Sequence, residues 1–237
     1  MGHFDGGVIH IHGNGRHLFD AAKTLKRLAA VLLLDDVGFA HFGSFGGLVP
    51  TPHMNRLADN GLRFNNFHTT ALCSPSRASF LTGQYASRHG VRNNHTPWTG
   101  QMTTFLEHLS HGGYTTAFIG KWHMPGKGLP DMSFLDRFVS YTYREGQGAY
   151  FNCPLIVDGK EVPSRAPYIT TEVTDYAIEF IEKAVSAPNG QRKPFCLYLA
   201  HKALHPELIQ YDDGSISDPS AARFLPAKRH EGLYADA

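Results

Sequence analysis

Cysteine is scarce in this chain: three residues in 237, at positions 73, 153 and 196. Thiols so few and so far apart exclude a disulfide framework, and no two form the C-x-x-C pair of a thiolate zinc site. No apolar run approaches the ~18 residues of a membrane-spanning helix. The opening Met1-Gly2-His3-Phe4-Asp5 lacks the basic and apolar regions of a signal peptide, so no export address is expected and localisation stays unassigned. An excess of one charge is also missing. Twenty-two basic residues face 21 acidic ones, a net charge of +1. That balance argues against the clustered basic footprint of a nucleic-acid partner. Apolar residues make up 42% and charged residues 18%, enough to bury a core and to exclude full disorder. The length suits one large α/β domain or two smaller ones. Histidine, in contrast, is abundant. Fifteen residues are a first pointer to metal or phosphate-ester-like chemistry, although any single one is more often a surface or capping group.

Residues 1–19 are rich in Gly and His and read as loop. His10 and His12 could form a metal pair, but no third ligand arrives at a supporting spacing. Asp20 is expected to cap a helix over residues 21–30, with Leu25, Leu28 and Ala29 on one side. Val31-Leu32-Leu33-Leu34 is apolar at every position, the pattern of a strand buried on both faces of a parallel sheet. Thr51-Pro52 is expected to start a helix, with Thr51 as its cap, that ends at Asn60-Gly61. Leu62 to Phe67 alternates as a strand would, and a helix is expected from Ser74-Pro75 to Leu81. Met102, Phe105, Leu106 and Leu109 have helical spacing, and Tyr114 to Ile119 reads as a strand. Residues 124–169 look irregular apart from a hairpin, Leu155-Ile156-Val157 and Lys160-Glu161-Val162, around a type I′ turn at Asp158-Gly159. Val173, Tyr176, Ala177, Phe180, Ile181 and Ala184 share one helical face, and Phe195 to Ala200 is another buried strand. Strands alternating with helices predict an α/β fold with a mostly parallel sheet flanked by helices.

Ligands of such sheets lie beyond the carboxyl ends of the strands. Three groups fall there: Asp35-Asp36, Lys121 with His123, and His201-Lys202 with His205. A fourth, Cys73-Ser74-Pro75-Ser76-Arg77, opens a helix, whose free N–H groups suit an anion. Each alone has an ordinary explanation as a turn, a solvated loop or a small buried hydrophobe. Together they describe one pocket with two carboxylates, an Arg, two Lys and several His. Paired Asp side chains are hard oxygen ligands for Ca²⁺ or Mg²⁺, and the basic groups would hold a tetrahedral anion against that metal. The residues point to a metal-assisted hydrolase of sulfate or phosphate esters.

Cys73-Ser74-Pro75-Ser76-Arg77, continued by Leu81-Thr82-Gly83, resembles the signature of the type I sulfatases. Gly113-Tyr114-Thr115-Thr116 with Gly120-Lys121-Trp122-His123 resembles their second signature, and His201-Lys202-Ala203 with His205 resembles a later His motif. Gly146-Gln147-Gly148, Phe224, Pro226-Ala227 and Arg229-His230 are similar to stretches of the polysaccharide- and glycosaminoglycan-type branch. The resemblance covers about residues 31–237 and leaves 1–30 as an unmatched N-terminal extension. It implies an alkaline-phosphatase-like sulfatase domain and a sulfuric ester hydrolase acting on sulfate esters, with sulfated sugars as candidates. It further implies that a formylglycine-generating enzyme oxidises Cys73 to formylglycine, whose hydrated form is the nucleophile. Asp35, Asp36 and matured Cys73 would bind the cation, usually Ca²⁺. Arg77 would hold the diol, Lys121 and His205 would contact the sulfate, and His123 would stabilise the diol and later take its proton.

Family members are longer, and further along they carry an Asp-Asn pair and another Lys for which no equivalent is found here. Asp212-Asp213-Gly214 and Asp236 follow no suitable strand and are not assigned. The chain therefore reads as the N-terminal portion of a sulfatase domain, truncated at its C-terminus. Two alternatives follow: a catalytically impaired fragment, or a phosphoesterase of the same superfamily. The second is disfavoured because phosphoesterases typically place Ser or Thr where this chain has Cys73.

Overall fold

The short apolar runs become the middle of one sheet. The structure is a computed structural model that describes residues 8–10, 28–100, 102–124, 130–142, 147–188, 192–208, 215 and 224–233. The N-terminal half contributes strands β1 (Val8–His10) and β2 (Leu28–Leu33), then helices α1 (Pro52–Asp59), α2 (Cys73–Thr82), α3 (Ala86–His89) and α4 (Phe105–His111). Strands β3 (Thr115–Gly120), β4 (Arg137–Tyr141), β5 (Leu155–Val157) and β6 (Lys160–Val162) follow, then helix α5 (Ile169–Ser186) and strand β7 (Phe195–Ala200). Among the described residues the sheet has seven strands in the order β1-β2-β7-β3-β4-β5-β6. Its centre, β2-β7-β3-β4, is parallel, whereas β1 on one edge and β5-β6 on the other pair antiparallel, so the sheet is mixed. The parallel centre is where the sequence is apolar at successive positions, because helices cover both faces there.

Alternation along each strand divides the core in two. Ala117 and Ile119 of β3 and Phe195 and Leu197 of β7 face the Val173, Tyr176, Ala177 and Phe180 side of α5. On the other face, Phe118 and Tyr198 stack at 5.1 Å between ring centroids and pack with Ala78 and Leu81 of α2 and Leu106 of α4. The result is a helix–sheet–helix arrangement, with the carboxyl ends of β2, β3 and β7 side by side at one edge of the layers.

Several expectations are corrected. Leu28 to Ala30, expected as the end of a helix, form the first half of β2, where they pair with Phe195 to Leu197; strand pairing overrides local helical spacing. Residues 21–27, including that helix's start, and its cap Asp20 lie outside the described residues, as does His12. The expected loop at 1–19 contains β1. Leu62 to Phe67 is not a strand: Leu62, Phe64 and Phe67 are all exposed, and alternation without a partner strand has nothing to bury. Thr51 does not cap α1 through its side chain; its Oγ1 accepts from the Gly43 N–H at 2.9 Å and donates to Asn55 Oδ1 at 3.0 Å. The stretch 124–169 contains the whole of β4, in which four of five residues are buried. The Asp158-Gly159 turn has φ of 48° and 84°, the two positive angles of a type I′ hairpin.

Candidate active site

Three backbone contacts bring the carboxyl ends of β2, β3 and β7 into one cluster. Beyond β2, the Asp35 N–H donates to Ala203 O at 3.0 Å and the Leu204 N–H to Asp35 O at 2.7 Å. Beyond β3, the Lys121 N–H donates to Ala200 O at 2.7 Å. Gly120, at φ +114°, makes that approach possible, because a Cβ there would lie 2.0 Å from Ala200 O. Asp36 and His123 adopt φ of 55° and 45°, left-handed conformations that are uncommon for residues with a side chain and that cluster at functional sites.

Helix α2 enters the cluster with its first turn. The Ser74 N–H donates to Asn94 Oδ1 at 3.0 Å, and the Ser74 hydroxyl donates to His123 O at 2.7 Å, so helix and β3 loop are fastened together. Pro75 lies in the first turn, where a missing N–H costs nothing. Cys73 is buried, and its thiol faces Asp35 Oδ1 at 3.3 Å and Lys121 Nζ at 3.5 Å. One helical turn on, Arg77 donates to Asp35 Oδ1 at 3.1 Å and to Lys121 O at 3.0 Å. Lys121, fully buried, also pairs with Asp35 Oδ2.

These charges set one another's protonation. Burial alone would raise the Asp35 carboxyl, but Lys121 and Arg77 outweigh it and hold it well below the usual carboxylate range. Burial would lower Lys121, yet Asp35 reverses that and keeps the ammonium charged. His123 has no anionic neighbour strong enough to compensate. Burial, then Lys121 and Arg77, push it well below the ordinary histidine value, and its Nδ1 has no hydrogen-bond partner among the described residues. The site thus combines a fixed anion, two fixed cations and a neutral imidazole with an unused nitrogen.

His205 arrives from the segment after β7. Its Nδ1 lies 2.7 Å from Pro206 O, so that nitrogen carries the hydrogen and Nε2 presents a lone pair. Asp36 Oδ2 is 3.7 Å from Nε2, and Gln147 Nε2 is 3.5 Å away. The Tyr150 hydroxyl donates to His205 O at 2.7 Å and fixes the turn. All seven residues expected at the site, Asp35, Asp36, Cys73, Arg77, Lys121, His123 and His205, stand at this end of the sheet. Within it, Asp35, Cys73 and His205 each offer a ligand atom, all within 4.8 Å of one another, and Asp36 adjoins this group through His205. His201, grouped with them by sequence, is buried, its Nδ1 is without a partner among the described residues, and burial lowers it to about 4. Lys202 packs over the Tyr150 ring at 5.3 Å and lies 3.9 Å from Glu207. The supporting contacts of Ser74, Asn94, Gln147 and Tyr150 are not predicted by the sequence, although Ser74 lies inside the Cys73 to Arg77 motif and Gln147 is flanked by Gly. A cleft of about 590 Å³ opens beside Cys73, walled by Phe67, Phe80 and Tyr85 with His68 and Thr70.

A family model described as Sulfatase matches residues 29–227. The chain belongs to the sulfatase family. N-acetylglucosamine-6-O-sulfatase of Bacteroides thetaiotaomicron is 32% identical over 205 residues, which cover 86% of this chain and 32% of that protein. Arylsulfatase G of Rattus norvegicus is 30% identical over 242 residues, covering 85% of this chain and 45% of the relative. A solved protein in complex with its substrate D-glucosamine-2-N,6-O-disulfate superposes with a TM-score of 0.75 at 31% identity, over 90% of this chain and 38% of its own. This sulfatase chain therefore spans about a third of the length of the curated relative first named, 32%. The sheet with its flanking helices is that of the alkaline-phosphatase-like sulfatases.

Membership implies a metal ion and a formylglycine. The cluster suits both: hard carboxylate oxygens, an imidazole lone pair and the side chain of residue 73 converge on one buried point, and His123 Nδ1 is an orphaned polar atom in the same cluster.

Proposed function

We propose that this sulfatase hydrolyses sulfate esters at the cluster around Cys73, with a sulfated sugar as the substrate class. The observation that carries the proposal is the burial of Cys73 against Asp35 and Lys121, with Arg77 bridging from the same helix. A cysteine that served only as a small core residue has no need of an anion and two cations around it. The sugar reading draws on the relatives, one named N-acetylglucosamine-6-O-sulfatase and one solved with a glucosamine disulfate. It draws also on the cleft of about 590 Å³ beside Cys73, which has room for the organic half of an ester.

In this proposal a formylglycine-generating enzyme converts Cys73 to formylglycine, which in its hydrated form supplies the nucleophile. Asp35 and Asp36, with residue 73, hold Ca²⁺, or alternatively Mg²⁺, which when bound supplies positive charge beside the ester oxygens. Lys121 and His205 contact the sulfate group, Lys121 through an ammonium donor fixed before it arrives, so little reorganisation is needed at the moment of reaction. Arg77, tied to Asp35 and to the Lys121 carbonyl, orients the side chain at position 73. His123 takes the proton released at position 73, a role suited to an imidazole kept neutral by burial and neighbouring cations.

The test is co-expression with a formylglycine-generating enzyme, peptide mass spectrometry of position 73, and turnover of an aryl sulfate with added calcium. Aldehyde at position 73 and turnover that disappears in Cys73→Ala are expected. A quantitative free thiol under those conditions, or turnover equal in Cys73→Ala, overturns the proposal.

A further inference from the structure

Both tryptophans of the chain, Trp98 and Trp122, line one cleft of about 240 Å³. Their rings meet edge to face, 6.2 Å between centroids at 86°, and Phe118 stands edge-on to Trp122 at 5.2 Å. Phe134 extends the aromatic wall. Two carboxylates complete the lining, Glu107 from the first turn of α4 and Asp131 from the loop before β4. Among the described residues no Lys, Arg or His lines the cleft. Asp35, Cys73, Lys121, His123 and His205 do not line it either, so it is separate from the sulfate cluster even though Trp122 lies between Lys121 and His123 in sequence.

The chemistry selects one class of occupant. Aromatic faces carry negative quadrupolar potential, and an organic cation over them is attracted most strongly by Trp. The carboxylates add attraction of the same sign. The Asp131 carboxylate is held in place, its Oδ1 accepting from the Ser133 N–H at 2.9 Å, and Glu107 is carried on the first turn of α4, where its backbone N–H donates to the cap Thr104 Oγ1 at 3.2 Å. An anion such as a sulfate ester would meet like charge, and a neutral apolar ligand would strip water from the carboxylates with nothing in return. We propose that this cleft binds a small organic ammonium ion, its charged nitrogen between Glu107 and Asp131 and its body against Trp98 and Trp122. The same chemistry occurs in an amino sugar with a free ammonium group and in a quaternary ammonium ion.

Because both tryptophans lie in the cleft, intrinsic fluorescence of the full chain reports occupancy without a label. The chain is titrated at pH 7 and constant ionic strength with glucosamine, with tetramethylammonium and with glucose. A saturable change is expected with at least one of the two cations and none with glucose. Glu107→Gln and Asp131→Asn are expected each to raise the half-saturation concentration about tenfold, the cost of losing one charge-assisted contact. The two variants stand on different elements, so a folding defect in one leaves the other informative. A stronger response to glucosamine identifies the amino sugar as the source, and a stronger response to tetramethylammonium identifies the quaternary ion. No saturable response to either cation, an equal response to glucose, or undiminished binding in both variants overturns the proposal.

Discussion

Replacing Asp35 by Asn tests whether one carboxylate holds the site's charges in place. Asp35 is 2% exposed and is paired with Arg77 and Lys121, themselves 4% and 0% exposed. The substitution preserves shape but leaves two buried cations without their shared anion. Removing one partner of a buried ion pair costs about 3–5 kcal/mol, because the remaining charge stays desolvated. The pH dependence gives a second, independent signature. In the wild type the folded Lys121 is raised above the unfolded lysine value of 10.5, so its contribution is fully present below that value and lost as pH rises through the folded one. In Asp35→Asn the burial effect, which lowers Lys121, loses its main opponent and acts together with the Arg77 charge against Cys73 alone, so the folded value is expected to fall below 10.5. The variant's deficit is then largest near neutral pH and shrinks as pH rises toward 10, where the ammonium can lose its proton. Urea unfolding from pH 7 to 10 in the presence of a chelator measures both effects. Adding Lys121→Met to Asp35→Asn should recover part of the loss, since it removes one unpaired charge. A deficit under about 1 kcal/mol, with a pH profile parallel to the wild type, would refute the reasoning.

Two further outcomes are expected. His201 is held neutral by burial at about 4 against an ordinary 6.5, so its contribution is present above pH 6.5 and lost as pH falls toward 4; His201→Gln should flatten that part of the stability profile by up to roughly 3 kcal/mol, measured by urea midpoints at pH 7 and 4.5. Gly120→Ala should destabilise by at least ~3 kcal/mol, because it combines an unfavourable φ of +114° with a Cβ placed 2.0 Å from Ala200 O, and an unchanged thermal midpoint would contradict the close approach of β3 to β7.

Elements whose signal is local were legible in the sequence. The runs Val31 to Leu33 and Phe195 to Ala200 are apolar at successive positions because sheet centre is covered on both faces, and that requirement is written in the residues themselves. The 3.6-residue spacing of Val173, Tyr176, Ala177 and Phe180 identified α5, and Asp158-Gly159 identified the hairpin turn. The clustering of Asp35, Cys73, Lys121, His123 and His205 could be anticipated too, since each follows a parallel strand or opens a helix, and such ends share one edge of an α/β sheet. Strand β4 and strand β1 were missed, since short segments between irregular stretches acquire their conformation from a neighbouring strand rather than from their own pattern. Packing alone decided which groups touch. That Asp35 takes both Arg77 and Lys121, that Ser74 fastens the His123 loop, and that His205 is steadied by Gln147 and Tyr150 depend on residues between 42 and 86 positions apart meeting at a few ångströms. Burial and the resulting protonation states of Asp35, Lys121 and His123 depend on the same packing. Composition shows which charges a chain carries, whereas desolvation and the distances between charges exist only once the layers have closed around them.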